Sequence, residues 1–317
     1  MKTHQINRRS FIAGTASSIA LASMPDLYAV PDDTPRKIEK RIDMHTHIGT
    51  YTDASKKLSA KALVEWMDEV QITQAVVLPL VSPESTTFLQ LPDAAIKASK
   101  EFPDRLIPFC SIDPRAIIRG GVQGLVDIIK RYVDQGAKGF GEHKVGLDFD
   151  DPLMMRVYEA CQEVGIPLLF HIDNLRGKDK PGLPNLENAV RSFPELNFIG
   201  HGPGWWASIS GDTDQKSLGG YPKGPVAEGG AIDRLMAKYP NIYGDLSAGS
   251  GANSISRDLK FGREFLIRRQ DRIMFGTDYL MPGQQVPQFD LFETLKLPAD
   301  VEAKIFHKNA TRVLKLS

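Results

Sequence analysis

Two histidines two residues apart, His45 and His47, and three further groups, His171, His201 and Asp278, each stand at or just past the end of a short apolar run. An imidazole offers a lone pair in a fixed direction and a carboxylate offers an anionic oxygen, so such groups brought together can hold a divalent ion. An ion held in this way lowers the pKa of a bound water to about 7 and polarises a carbonyl beside it. A lone His-x-His arises by chance and carries little weight alone. The weight here comes from four strand-like endings, far apart in the chain, that all present groups of the same chemistry.

In the first run, Arg-Ile-Asp-Met-His-Thr-His over 41–47, alternation with period two puts Asp43, His45 and His47 on one face of a strand. Comparable apolar runs cover 41–45, 73–80, 105–113, 137–144, 166–172, 196–202, 242–247 and 272–279. Helical periodicity follows at 61–70, 86–102, 122–135, 153–164, 186–193, 230–239, 257–269 and 301–316, with Gly136, Gly165, Pro194 and Pro240 where a helix should stop. Eight near-continuous apolar strands, each followed by a helix, predict an α/β fold of the (β/α)8 TIM-barrel type, a single domain over 41–317. Active sites of such barrels lie at the C-terminal strand ends. His45 and His47 close strand one, Glu142 strand four, His171 strand five, His201 strand six and Asp278 strand eight.

The chain has 317 residues, 42% hydrophobic and 25% charged, an ordinary globular composition. Its 39 basic residues balance 39 acidic ones, so no basic field points to a nucleic acid. Only Cys110 and Cys161 are present, each inside an apolar segment, which excludes a cysteine-rich zinc site and favours two buried thiols. Residues 1–29 carry Asn7-Arg8-Arg9-Ser10-Phe11-Ile12 and then an apolar stretch through Leu21 and Ala22, which resembles a twin-arginine export signal. Ser17 and Ser18 interrupt that stretch, which falls short of the roughly 20 apolar residues that span a bilayer, so no stable membrane anchor is expected. The expectation is an exported protein, periplasmic or extracellular, with 30–40 as a lead-in.

Taken together, Ile42-Asp43-Met44-His45-Thr46-His47, Leu169-Phe170-His171, Phe198-Ile199-Gly200-His201-Gly202 and Ile273-Met274-Phe275-Gly276-Thr277-Asp278-Tyr279 resemble the amidohydrolase superfamily, most closely its amidohydrolase-related (amidohydrolase 2) branch. The closing Asn309-Ala310-Thr311-Arg312-Val313-Leu314 is similar to that family's terminal helix. The resemblance implies that His45, His47 and His171 are metal ligands. It implies that His201 binds a second metal or contacts the reacting water or substrate, and that Asp278 touches the metal and acts as general base. A homo-oligomer is implied on the same ground.

Strand four departs from the family's commonest pattern, a carboxylated lysine bridging two ions, and offers Glu142 instead. A carboxylate can span two ions about 3.5 to 4 Å apart; the alternatives are a substrate or supporting role beside one ion. Lys144 shares the face of Glu142 and is expected at the mouth, where it could attract an anionic substrate, whereas His143 points away and is structural. Asp245 either lines the pocket or is a solvated loop-end aspartate. The long 202–229 segment reads as a lid or as a packed excursion, with Trp205 expected to contact substrate.

The leading expectation is a metal-dependent hydrolase acting on an ester, lactone or amide-type carbon of a small molecule. A metal-dependent decarboxylase of the same family is the alternative, kept in play by Lys144 and Arg176, and a non-catalytic metal-binding barrel is the third. Zinc is the expected metal, as one or two ions, although the same ligands accept manganese, iron or nickel.

Overall fold

Eight short strands alternate with helices in a computed structural model that describes residues 40–116 and 119–316. The segment expected to be an export signal and almost all of the expected lead-in lie outside the described residues. The strands are β1 (Ile42–Thr46), β2 (Gln74–Val77), β3 (Leu106–Pro108), β4 (Phe140–His143), β5 (Leu168–His171), β6 (Phe198–His201), β7 (Ile242–Asp245) and β8 (Ile273–Met274). Each lies inside an apolar run identified in the sequence, and all eight are buried nearly throughout, as strands covered on both faces must be.

Parallel pairing gives two arcs, β1-β2-β3 and β4-β5-β6-β7-β8. Two seams close them into a barrel. At one, a parallel bridge joins Cys110 to Phe140, with the Cys110 amide donating to the Gly139 carbonyl at 3.0 Å and the Gly141 amide to the Cys110 carbonyl at 2.8 Å. At the other, Thr46 bridges Tyr279, the Met44 amide donates to Phe275 at 3.0 Å and the Asp278 amide to His45 at 2.8 Å. The second seam sets Asp278 directly beside the His-x-His pair.

The helices are α1 (Ala60–Glu69), α2 (Pro92–Glu101), α3 (Gly121–Val133), α4 (Pro152–Val164), α5 (Pro184–Ser192), α6 (Pro203–Ala207), α7 (Ala231–Lys238), α8 (Ala248–Ser256), α9 (Leu259–Arg268), α10 (Gln288–Leu295), α11 (Ala299–Ala303) and α12 (Asn309–Val313). Local chemistry sets their ends. Ser59, Asp151 and Asp258 accept from backbone amides in the first turns of α1, α4 and α9, and Gly165 ends α4 in the left-handed region at φ 76°. The helix expected over 86–102 begins only at Pro92. Leu91 before it is extended, as a residue preceding proline prefers, and Leu80 and Gln90 pair as an antiparallel bridge instead. The helix expected over 301–316 is three pieces, with a π-helical turn at Lys304–Lys308 between α11 and α12. Helices α6, α8 and α10 have no counterpart in the predicted pattern. α8 reads Ala-Gly-Ser-Gly-Ala-Asn-Ser-Ile-Ser, and Ile255 is its only large apolar residue, so no periodicity marks it.

Inward side chains fill the barrel: Met44, Val76, Leu78, Ile107, Phe109, Leu169, Ile199, Tyr243 and Met274 form one cluster with Ala310, Val313 and Leu314 of the C-terminal segment. Asn309 ties that segment to the start of β8 by donating to the carbonyls of Gln270 and Ile273 at 2.7 and 2.8 Å. The terminal helix therefore closes the floor at the N-terminal strand ends and leaves the opposite end for the polar groups.

Candidate metal centre

At the C-terminal end of β1, alternation delivers His45 and His47 to the same space, with their Nε2 atoms 3.2 Å apart. The opposite ring nitrogens fix both tautomers. Nδ1–H of His47 donates to the Leu78 carbonyl at 2.9 Å, and Nδ1–H of His45 donates to Asp245 Oδ2 at 2.6 Å. Both Nε2 atoms then carry lone pairs, and two lone pairs facing at this distance repel unless a cation or proton lies between them.

Two carboxylates complete the set. Glu142 Oε2 lies 3.7 Å from His45 Nε2 and 3.5 Å from His47 Nε2, and Asp278 Oδ1 lies 3.5 Å from both nitrogens. An ion with four bonds of 2.0–2.2 Å in tetrahedral array needs ligand atoms about 3.3–3.6 Å apart. These separations straddle that range. Glu142 Oε2 is buried and has no hydrogen-bond partner, which leaves a buried anion unsatisfied unless a cation meets it. The residues present fit a divalent ion.

The other oxygen of Glu142 turns to a second group of donors. Oε1 is 2.8 Å from His171 Nδ1 and 3.7 Å from His201 Nε2, and this trio again places ligand atoms within 4.8 Å of one another. Nε2 of His171 meets Asp173 Oδ2 at 2.8 Å, and Asp173 is held in turn by Arg176 at 2.5 Å. Nδ1 of His201 meets Ser247 Oγ at 2.8 Å. Asp278 is the one carboxylate of the centre partly open to solvent, its side chain 19% exposed against none for Glu142 and Asp245.

The field of these groups is strongly negative. Burial works against ionisation of His45, yet Asp245 and Asp278 outweigh it and raise its pKa well above the ordinary histidine value; His47 is raised against burial by Asp278 and Glu142. Burial also opposes the charged forms of Glu142 and Asp278, but Lys144 and the histidines hold Glu142 well below its usual range, and His45, His47 and His201 do the same for Asp278. His201 is pushed the other way, first by burial and then by the neighbouring His45, so its ring stays neutral and keeps a lone pair. A field that draws protons onto two imidazoles draws a metal cation by the same physics.

The remaining expected positions fall as follows. Lys144 Nζ is 3.4 Å from Glu142 Oε1 with its side chain 9% exposed, so it is buried against the centre and already paired. His143 faces away, with Nε2 3.0 Å from the Met154 sulfur, and burial lowers its pKa to about 4. Two expectations are corrected. Trp205 is fully buried, edge-on to Phe170 at 5.7 Å, and its indole lies so close over Gly200 that a Cβ there would fall 2.4 Å away; it packs between β5 and β6 and reaches no substrate space. Asp245 is neither solvated nor open to the pocket: its carboxylate is fully buried and bound to His45 and Ser247. Asp173 and Ser247 were missed, though the alternation that pairs His45 with His47 also pairs His171 with Asp173 and Asp245 with Ser247.

The sequence model of the amidohydrolase family matches residues 42–316. Among curated proteins, none matches. An uncharacterized TIM-barrel protein from Bordetella bronchiseptica superposes with a TM-score of 0.62 at 18% identity, covering 87% of this chain and 99% of that one. A probable 2-pyrone-4,6-dicarboxylic acid hydrolase from Acinetobacter baumannii, with citric acid bound, gives 0.57 at 13% identity over 87% and 99%. A 5-carboxyvanillate decarboxylase from Novosphingobium aromaticivorans, complexed with manganese and a nitrobenzoic acid, gives 0.56 at 17% identity over 87% and 96%. At such identities the likeness is one of fold, the (β/α)8 barrel.

Proposed function

The chain belongs to the amidohydrolase family, and we propose that it is a metal-dependent hydrolase that opens an ester, lactone or amide-type bond of a small molecule. The observation that supports this reading is the divided carboxylate of Glu142: Oε2 faces His45 and His47, and Oε1 faces His171 and His201. A residue so placed suits a bridge between two ions, the arrangement that clamps attacking and leaving oxygens of a hydrolytic step.

Bound there, a divalent ion would supply hydroxide at neutral pH and polarise the carbonyl under attack. Asp278, ionised and open to the cavity, takes the proton released by the attacking water and returns it to the leaving group. Neutral His201 keeps Nε2 free for a ligand or for the reacting oxygen. Lys144 holds Glu142 anionic and presents a positive charge beneath the mouth. Zinc is the metal we expect, and export through a twin-arginine route is the location, tested by N-terminal sequencing of the protein recovered outside the cytoplasm.

Elemental analysis of the purified protein tests the reading. About two equivalents of metal per chain, with turnover in ester, lactone or amide screens, are expected. One equivalent with release of carbon dioxide from a carboxylic acid would overturn it in favour of the decarboxylase, a reading supported by the placement of Lys144 and Arg176 near the same opening.

A further inference from the structure

We propose that Asp245 is a shared positioning residue, acting directly on His45 and through Ser247 on His201, that sets which ring nitrogen each presents and so couples the two donor sets of the metal centre. The inference rests on the two-set reading above. It starts from one atom, Asp245 Oδ2, which accepts from His45 Nδ1 at 2.6 Å and from the Ser247 hydroxyl at 3.1 Å. Ser247 has a single proton. Having given it to Asp245, its oxygen accepts from Nδ1–H of His201 at 2.8 Å. The chain of donors therefore has one consistent direction, from each imidazole towards the carboxylate.

That direction leaves Nε2 of His45 facing Glu142 Oε2 and Asp278, and Nε2 of His201 facing Glu142 Oε1. One histidine of each set is thereby oriented by the same oxygen. Outward partners of this kind raise ligand basicity and hold the ring in place, and their loss commonly lowers metal affinity about 10–100-fold.

The fold makes room for this carboxylate at a specific cost in sequence freedom. Any side chain at position 276 would put a Cβ 2.2 Å from Asp245 Oδ1 and 2.9 Å from Cβ of Ser247. Gly276, two residues before Asp278, is the vacancy into which the pair fits. Asp245 Oδ1 itself is buried without a hydrogen-bond partner, so the carboxylate meets side-chain donors only through Oδ2, from His45 and Ser247.

Three variants test the proposal, with Zn2+ alone as the probe in chelator competition and with thermal melting of the metal-free proteins alongside. Asp245→Asn can place an amide N–H against His45 Nδ1 and invert its tautomer, so affinity for every ion bound should fall at least tenfold. Ser247→Ala should weaken only the His171/His201 event, by about 10–100-fold, and leave the His45/His47 event unchanged. Trp206→Phe removes the 2.9 Å bond from the indole to the Asp245 backbone carbonyl without touching the carboxylate; it should lower the melting temperature and leave both affinities intact.

Wild-type affinity in Asp245→Asn, or an equal loss at both events in Ser247→Ala, would overturn the proposal. So would metal-free melting temperatures that fall while affinities hold, the signature of a purely structural carboxylate. A wild-type protein that takes one equivalent would fail the two-ion reading yet still decide this one. Asp245→Asn must then weaken that single ion about tenfold, since His45 belongs to both candidate groups that include Asp278 or His47.

Discussion

The two ends of the barrel bury charge in opposite ways. At the floor, the buried guanidinium of Arg41 lies 5.2, 5.4 and 4.8 Å from the ring centres of Phe275, Phe289 and Phe306 and donates to the Val70 carbonyl at 3.3 Å. One cation is enclosed by π faces, and the carboxylates of Asp43, Glu302 and Glu293 favour its charge against burial. At the other end, four histidines and the carboxylates of Glu142, Asp173, Asp245 and Asp278 crowd one space, with Glu142 Oε2 and Asp245 Oδ1 unpartnered and two imidazole nitrogens facing at 3.2 Å. At the floor the unpartnered atom, Arg41 Nε, belongs to a cation seated among aromatic rings, whereas at the metal face the unpartnered atoms are carboxylate oxygens, which an added cation would satisfy. Stability should therefore reside at the floor and chemistry at the face.

The largest effect that tests this division is Asp278→Asn. Turnover should fall about 10²–10⁴-fold, the range for loss of a general base, while most of the metal and the melting temperature are retained. Kinetics paired with elemental analysis check it; an undiminished rate would remove Asp278 from the mechanism. At the floor, Phe306→Ala should act in the opposite sense. Loss of that buried ring, packed on Phe275, Phe292 and Arg41, should destabilise by about 3–5 kcal/mol in urea titrations, with metal per folded chain unchanged.

Metal removal comes next in size. An ion held at a hundred times its Kd stabilises the fold by about 2.7 kcal/mol, so a chelator should lower the melting temperature of the wild type. His45→Ala should already lack metal and show no further drop. If chelation leaves the wild-type melting curve where it was, the metal face does not depend on a cation and the contrast with the floor fails.

The same contrast explains what the sequence revealed. All eight strands were legible because burial on both faces leaves continuous apolar runs, and the candidate ligands were legible because each ends such a run. Glu142, His171 and Asp278 needed only that placement. Asp245 and Trp205 were misread because their surroundings come from elsewhere in the chain: Asp245 is enclosed by His45, 200 residues distant, and by the space at Gly276, and Trp205 by the absent side chain of Gly200. A polar residue at a strand end looks the same in sequence whether it meets water or another residue's ring. Helix α8 escaped for a related reason, since small residues pack closely against Leu246 without writing a periodic stripe.

A third setting lies between the two ends and sharpens the comparison by its small size. On the rim loops, Arg115 makes a two-pronged contact with Glu84 at 2.6 and 2.8 Å and another with Asp113, and the Arg115 and Glu84 side chains are 32% and 31% exposed. The guanidinium of Arg115 lowers the Glu84 carboxyl from an ordinary value of 4.5 to about 2. A carboxylate whose pKa is depressed by folding adds stability above its unfolded pKa and loses it as pH falls through the folded one. Here that window runs from about pH 4.5 down to about 2. Because both partners meet water, screening limits the contribution to under about 1 kcal/mol, smaller still at high salt. Glu84→Gln, compared with wild type in urea at matched salt and without metal, should be less stable by that margin at pH 7, and the difference should shrink steadily below pH 4.5. A gap above about 2 kcal/mol, insensitive to salt, would place this pair with the buried charges of the metal face and move the boundary between the two regimes outward to the rim.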